Sequence, residues 1–356
     1  MKKTAIKIFK ILIFAVLVVA FLKLSIIFGG KAVNGMTPKG GINESLYVDI
    51  NGSKQWINIY GQSKDNPVLL YLHGGPGSST SMYDYKFLRP LSDIYTVVTW
   101  DQRGCGNSYT KEHENDKLSY EILMKDGVEM TEFLRSYLHK DKITLLGHSW
   151  GTLFGTGLAQ MHPEYYECYI GAGQVVDMFE NEEAFAEEAR NWVKGDPEGE
   201  ELLAIMETAH FGNGDYFNAR EMLMQRYGYS MLNDEWEYNS YRAVVFSPNS
   251  SVADLYKYLK KGQTVYPNYI ELSASEEFWI EASIKDKTEY KIPFYNINGD
   301  KDFQTNHILA EEYFNKVKAP RKKLYTMKNM RHSLLEAQPT KFSEIVHEIA
   351  AIERAK

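Results

Sequence analysis

Residues 147–151 read Gly-His-Ser-Trp-Gly, entered by the apolar run ITLL and followed by TLFGTGLAQMH. A serine on a sharp strand-to-helix turn, with a glycine two positions away on each side, has room to project its hydroxyl from the backbone. The matching chemistry is acyl transfer. Ser149 attacks a carbonyl, and the backbone N–H of Trp150 helps hold the oxyanion. A plain tight turn would also accept this string, so the serine needs partners elsewhere in the chain.

Three other stretches carry suitable types. His73-Gly74-Gly75-Pro76-Gly77 can bring backbone N–H groups close to a substrate, and the N–H of Gly75 is the expected second oxyanion donor. His73 is expected to hold this loop rather than act as a base. Gly299-Asp300-Lys301-Asp302 offers a carboxylate to orient a histidine; Asp302 is the choice and Asp300 the alternative. Met330-Arg331-His332-Ser333 offers His332 as the general base. The stretch 100–108, WDQRGCGNS, reads as scaffolding in which Asp101 and Arg103 could pair, with Cys105 packed. There is no H-E-x-x-H and no P-loop string, so neither a metal nor a nucleotide cofactor is expected.

Such groups must be set at strand ends. LYVDI (46–50) and QWINIYG (55–61) read as a hairpin around Asn51-Gly52. Buried-strand patterns follow at 67–75, 95–104, 142–151, 167–173, 291–300 and 322–329. Helical patterns follow Ser119, fill 152–162, run from about 305 to 317, and resume near Thr340. This alternation predicts an α/β fold, a mostly parallel sheet of eight strands with helices on both faces. The four motif stretches fall at carboxyl ends of strands, where such sheets bind ligands. From 177 to 291 the alternation stops, and the stretch reads as an acidic, aromatic helical cap. The expected divisions are 1–30, 31–176, 177–291 and 292–356.

The first of these is an expected membrane anchor. Lys2, Lys3, Lys7 and Lys10 precede a run from Ile11 to Phe28 that is apolar except for Lys23 and Ser25. That approaches the roughly 20 residues that cross hydrocarbon. Basic residues before the span place the body outside the cytoplasm. The alternative is a cleaved secretory signal. Gly29 to Gly41 reads as a linker. A net charge of -7 gives no surplus for neutralising phosphates, so no nucleic-acid partner is expected. Two cysteines cannot build a disulfide framework.

HGGPG (73–77), DQRGCGNS (101–108), SWG (149–151), AQMHPE (159–164), GDKD (299–302) and RHS (331–333) together resemble the α/β-hydrolase superfamily, and within it the proline iminopeptidase family. The resemblance implies a serine aminopeptidase that releases N-terminal residues from short peptides without a cofactor. Ser149, Asp302 and His332 would form its triad, with Gly75 and Trp150 as oxyanion donors. It also implies that acids of the cap bind the substrate's free ammonium. NDEWEYN (233–239) makes Glu237 the first candidate and Glu235 the second. Two departures stand out. The family's elbow often has glycine where this chain has His148, a residue common in esterases and lipases, and its usual members lack an anchor. A carboxylesterase, lipase or lactonase with the same triad is the alternative, and a non-catalytic binding protein a third reading.

Overall fold

The computed structural model describes residues 2–209, 211, 213–261 and 267–355. The strands are β1 (Ile42–Ile50), β2 (Ser53–Gly61), β3 (Val68–Leu72), β4 (Thr96–Asp101), β5 (Ile143–His148), β6 (Tyr166–Ala172), β7 (Phe294–Gly299) and β8 (Lys322–Met327). They form one eight-stranded sheet in the order β1-β2-β4-β3-β5-β6-β7-β8. The first hairpin is antiparallel, as is the β2–β4 pairing; every later pairing is parallel.

The central strands are buried on both faces because their side chains alternate between two cores. Val68, Leu70 and Leu72 enter one core, while Leu69 and Tyr71 enter the other. Ile143 and Leu145 of β5 join the first, and Leu146 the second. This is the period-2 geometry of a strand, here apolar on both sides because helices cover both faces. The β1–β2 hairpin turns on Asn51 (φ 47°) and Gly52 (φ 71°), the two left-handed residues a tight hairpin asks for. β1 begins at Ile42, four residues before the expected start. It is an edge strand whose residues 43–47 are not buried, so its polar positions mask its start.

Between β6 and β7 the described residues form seven helices, from Met178–Trp192 to Glu276–Ala282; residues 210, 212 and 262–266 of the expected cap lie outside the described set. The first three pack a small core of their own around Phe185, Leu203, Tyr216 and Leu223, which Phe303 of the main body joins.

The N-terminal helix runs unbroken from Lys2 to Asn34. The glycine pair at 29–30 therefore does not begin a linker. A Cβ on Gly30 would lie 2.4 Å from the ring of Phe246, so the missing side chain lets the helix pack against that ring. The connection to β1 is only 35–41.

Candidate active site

β5 delivers Ser149, and the helix Trp150–Met161 carries the chain away. Ser149 sits at φ 51°, ψ -120°, a conformation side chains other than glycine's rarely take. Its N–H donates to the carbonyl of Ala172 at the end of β6 (2.9 Å), which pins the turn. The flanking glycines are required by close approach. A Cβ on Gly151 would lie 2.0 Å from the Leu72 carbonyl oxygen, and one on Gly147 2.7 Å from that of Gly151.

The loop after β8 brings His332 over this turn. The Ser149 hydroxyl donates to His332 Nε2 at 2.8 Å, and His332 Nδ1–H donates to Asp302 Oδ2 at 2.8 Å. Asp302 follows β7 and is buried. Its Oδ1 accepts the N–H groups of Gln304 and Thr305, each at 3.0 Å, and its Oδ2 accepts the Thr305 hydroxyl at 3.0 Å. Of the two acids in that turn the structure brings Asp302 to the histidine. Asp300 hydrogen-bonds through its N–H to Met327, and its Oδ1 is buried with no hydrogen-bond partner.

Burial alone would pull the His332 pKa down. The charge and hydrogen bond of Asp302 outweigh it, and the net shift is upward from 6.5. Burial pushes the Asp302 carboxyl up, but the charge of His332 and the donors of Thr305 bring it below its ordinary value. The acid is thus held ionised and the imidazole is basic, the condition a proton-shuttling pair needs.

The loop His73–Gly77 lies against the turn. A Cβ on Gly74 would stand 3.4 Å from Ser149 Cβ, and one on Gly75 3.6 Å from the Trp150 ring. The peptide bond between Gly75 and Pro76 is cis. Trp150 is the first residue of its helix, so its N–H has no intrahelical acceptor. His73 staples the loop. Its Nδ1–H donates to the Gly74 carbonyl (2.6 Å) and its Nε2 accepts the Gln102 N–H (3.2 Å). Burial pulls its pKa down to about 4. Both ring nitrogens are used in holding backbone, which leaves neither for proton transfer to a substrate.

His148 also supports the machinery. Its ring stacks on His332 with centroids 5.1 Å apart, and its Nε2–H donates to the His332 carbonyl at 3.2 Å. Its Nδ1 faces Glu336 Oε1 at 3.6 Å. Glu336 is 6% exposed, and its other oxygen has no protein hydrogen-bond partner. Sequence reasoning passed over this acid, although a lone glutamate in the apolar run LLEA, one helical turn after His332, was a signal.

One expectation is corrected. Arg103 does not pair with Asp101. Its guanidinium makes a two-pronged bond to Asp126 of the helix Tyr120–Tyr137 at 2.6 and 2.8 Å, while Asp101 accepts from Ser79, Ser81 and Asn107. Glu237, the first candidate for the substrate amine, is exposed. Its carboxylate takes the N–H (3.1 Å) and hydroxyl (2.6 Å) of Thr340 in the first turn of the helix Pro339–Arg354. Glu235 is exposed. A helix N-terminus attracts a carboxylate through its free N–H groups and dipole, and this claims Glu237. The insertion does reach the triad, through an unforeseen residue. Arg220 is buried, holds Glu182 at 2.7 Å, and donates to the Phe303 carbonyl (3.0 Å) and Gln304 side chain (2.7 Å) beside Asp302.

The pattern that describes the alpha/beta hydrolase fold matches residues 67–339. A probable aminopeptidase, YbaC of Bacillus subtilis (strain 168), is 25% identical over 299 residues, covering 83% of this chain and 92% of that protein. A proline iminopeptidase of Lactobacillus helveticus is 28% identical over 184 residues, 51% of this chain and 60% of that protein. Among solved structures, a proline iminopeptidase of Mycobacterium smegmatis superposes with a TM-score of 0.60 at 17% identity, covering 87% of this chain and 98% of that one. A bacterial membrane phospholipase A superposes with a TM-score of 0.56 at 18% identity over the full length of both chains. The two superpositions speak to fold. With the family pattern spanning most of the sequence, the chain belongs to the α/β-hydrolase fold family as a proline iminopeptidase-like serine hydrolase.

Proposed function

We propose that the protein is a serine aminopeptidase acting through an acyl-enzyme on Ser149. The observation that carries the hydrolytic reading is the unbroken relay from Ser149 Oγ through His332 to Asp302, both links at 2.8 Å. His332 takes the hydroxyl proton as Ser149 attacks the scissile carbonyl, then returns it to the leaving amine. Asp302 holds the tautomer that leaves Nε2 free to accept, and balances the imidazolium. The N–H groups of Gly75 and Trp150 hold the oxyanion. Water then attacks the acyl-enzyme with His332 again as base. The likeness to YbaC over most of both chains supports a peptide substrate with a free N-terminus. The N-terminal helix, whose Ile6–Asn34 stretch is apolar enough to cross a bilayer, serves as the anchor, and the lysines of its first turns set the body outside the cytoplasm.

The ester-hydrolysing alternative keeps one observation in its favour: Glu237, the first acid proposed to hold the substrate amine, is engaged by Thr340 instead. A panel of chromogenic aminoacyl amides, their N-acylated forms and simple esters separates the readings. Cleavage of the amides only when the amine is free is the expected result. Turnover of esters with none of the amides would select the alternative.

A further inference from the structure

We propose that the insertion around the helices Ser240–Val245 and Val252–Lys261 is a lipid-contact surface, seated in the headgroup layer of the bilayer that the N-terminal helix enters. The inference rests on the reading of that helix as an anchor.

The helix does not end where its apolar run ends. Phe28 is exposed, yet Ile27, Gly30, Lys31 and Asn34 are partly buried. These positions recur at helical spacing and define one docked face. Lys31 Nζ donates to the carbonyls of Ser247 and Ser250, each at 2.8 Å, and to the Ser250 hydroxyl at 2.9 Å. Asn34 Nδ2 donates to the Phe246 carbonyl at 2.8 Å, and Gly30 makes room for the Phe246 ring. Ile27 packs against a cluster of Val244, Val245 and Leu255 that joins the two insertion helices. From the main body, Tyr85 donates to the Ala243 carbonyl at 3.0 Å and Arg89 to that of Asn34. Anchor, insertion and body are locked together within two helical turns.

That lock fixes a height. The helix is continuous, so each residue past Phe28 adds about 1.5 Å along its axis. Lys31 then stands about 5 Å and Asn34 about 9 Å beyond the apolar run, and tilt only lowers these figures. The polar layer on one side of a bilayer is roughly 5–8 Å deep. Lys31, which holds Ser247 and Ser250, therefore stands within that layer and Asn34, which holds Phe246, at its outer limit, with no flexible spacer that could lift the adjoining helices away.

The chemistry of the face suits that depth. Val33, Met36, Tyr241 and Val252 are all exposed around the docking point, and Arg242 is exposed beside Tyr241. Tyrosine and scattered apolar residues with a cation are the side chains that settle at a membrane–water interface.

The full-length protein can report this directly. Both native cysteines are buried, so single exposed cysteines can be labelled selectively. Tyr241→Cys and Val252→Cys carry a fluorophore on the proposed face. Lys64→Cys, exposed before β3 at the amino ends of the parallel strands, carries it on the opposite end of the sheet. The variants are reconstituted in phosphatidylcholine–phosphatidylglycerol vesicles with lipids spin-labelled near the headgroup. Quenching of the 241 and 252 probes at least about twofold stronger than that of the 64 probe is expected. Equal quenching at the three positions, or none, in protein that resists carbonate extraction overturns the inference. A blue-shifted 252 probe that lipid fails to quench would mean that a second copy covers the face, and also overturns it. Protein that carbonate extracts, or that has lost its N-terminal helix, refutes the anchor reading itself.

Discussion

The turn that presents Ser149 should cost stability, and the cost can be read by replacing the serine in two ways. Ser149→Ala and Ser149→Gly both remove the hydroxyl and its bond to His332, so both lose hydrolysis. They differ in what the backbone must hold. At φ 51°, ψ -120° a residue with a Cβ is in a sparsely populated region, a strain of roughly 1–3 kcal/mol that glycine does not feel. Glycine gives back about 0.5–1 kcal/mol through its freer unfolded chain. The small buried contacts of the methyl group, facing Gly74, subtract a little more. The net expectation is a glycine variant more stable than the alanine variant by about 1 kcal/mol. Roughly 320 residues follow the N-terminal helix, which at about 2.1 cal/mol/K each gives an unfolding entropy near 0.7 kcal/mol/K. The glycine variant should therefore melt about 1–2 °C above the alanine variant, a gap that replicate thermal scans in one detergent resolve. A glycine variant melting at or below the alanine variant would refute the idea that this turn stores strain.

Asp302→Asn should lower kcat/KM about 10⁴-fold, or about 5 kcal/mol of transition-state stabilisation. The amide oxygen keeps the N–H donors of Gln304 and Thr305, its NH2 faces His332 Nδ1, and Nε2 is forced to carry the proton that blocks it as a base; a loss under tenfold in folded protein contradicts this. The pH profile follows from the raised His332 pKa. Only the neutral imidazole can accept a proton, so activity is absent below that pKa and rises as pH passes through it. Measured on an ester with no titrating amine, the acid limb of kcat/KM should centre above 6.5, and a midpoint below 6.5 contradicts the geometry. Arg103→Ala should destabilise by about 3–5 kcal/mol because it leaves Asp126 buried without its cation, and a fall in melting temperature below about 2 °C would show that Asn51 and Gln55 suffice as partners.

What was legible from sequence was local. Buried strands announce themselves by short apolar runs, and motif residues at their ends fall on one edge of the sheet whatever the rest does. Ser149, His332 and the 299–302 turn were placed by that rule alone. Which acid of the turn reaches His332 was not legible, because the choice depends on backbone donors at 304 and 305 and on where the next strand's loop lands. The Asn51-Gly52 hairpin was legible because its two positive φ angles are a demand on just those two residues.

The misreadings share a cause, which is competition from distant partners. Arg103 and Asp101 are neighbours in sequence, yet Asp126 presents two oxygens to the guanidinium from one face of a helix, and a two-pronged bond outcompetes a single one. The glycine pair at 29–30 argued for a break by propensity, at a cost of about 1 kcal/mol each in a helix interior. Packing against Phe246 overrides that local preference, since a larger residue at 30 could not let the ring approach. The same substitution of distant packing for local preference removes the spacer between the N-terminal helix and the insertion. A chain that needed only tethering would tolerate a loose linker there. One that commits a partly buried lysine and the bare backbone of Gly30 to the contact fixes the insertion rigidly against that helix.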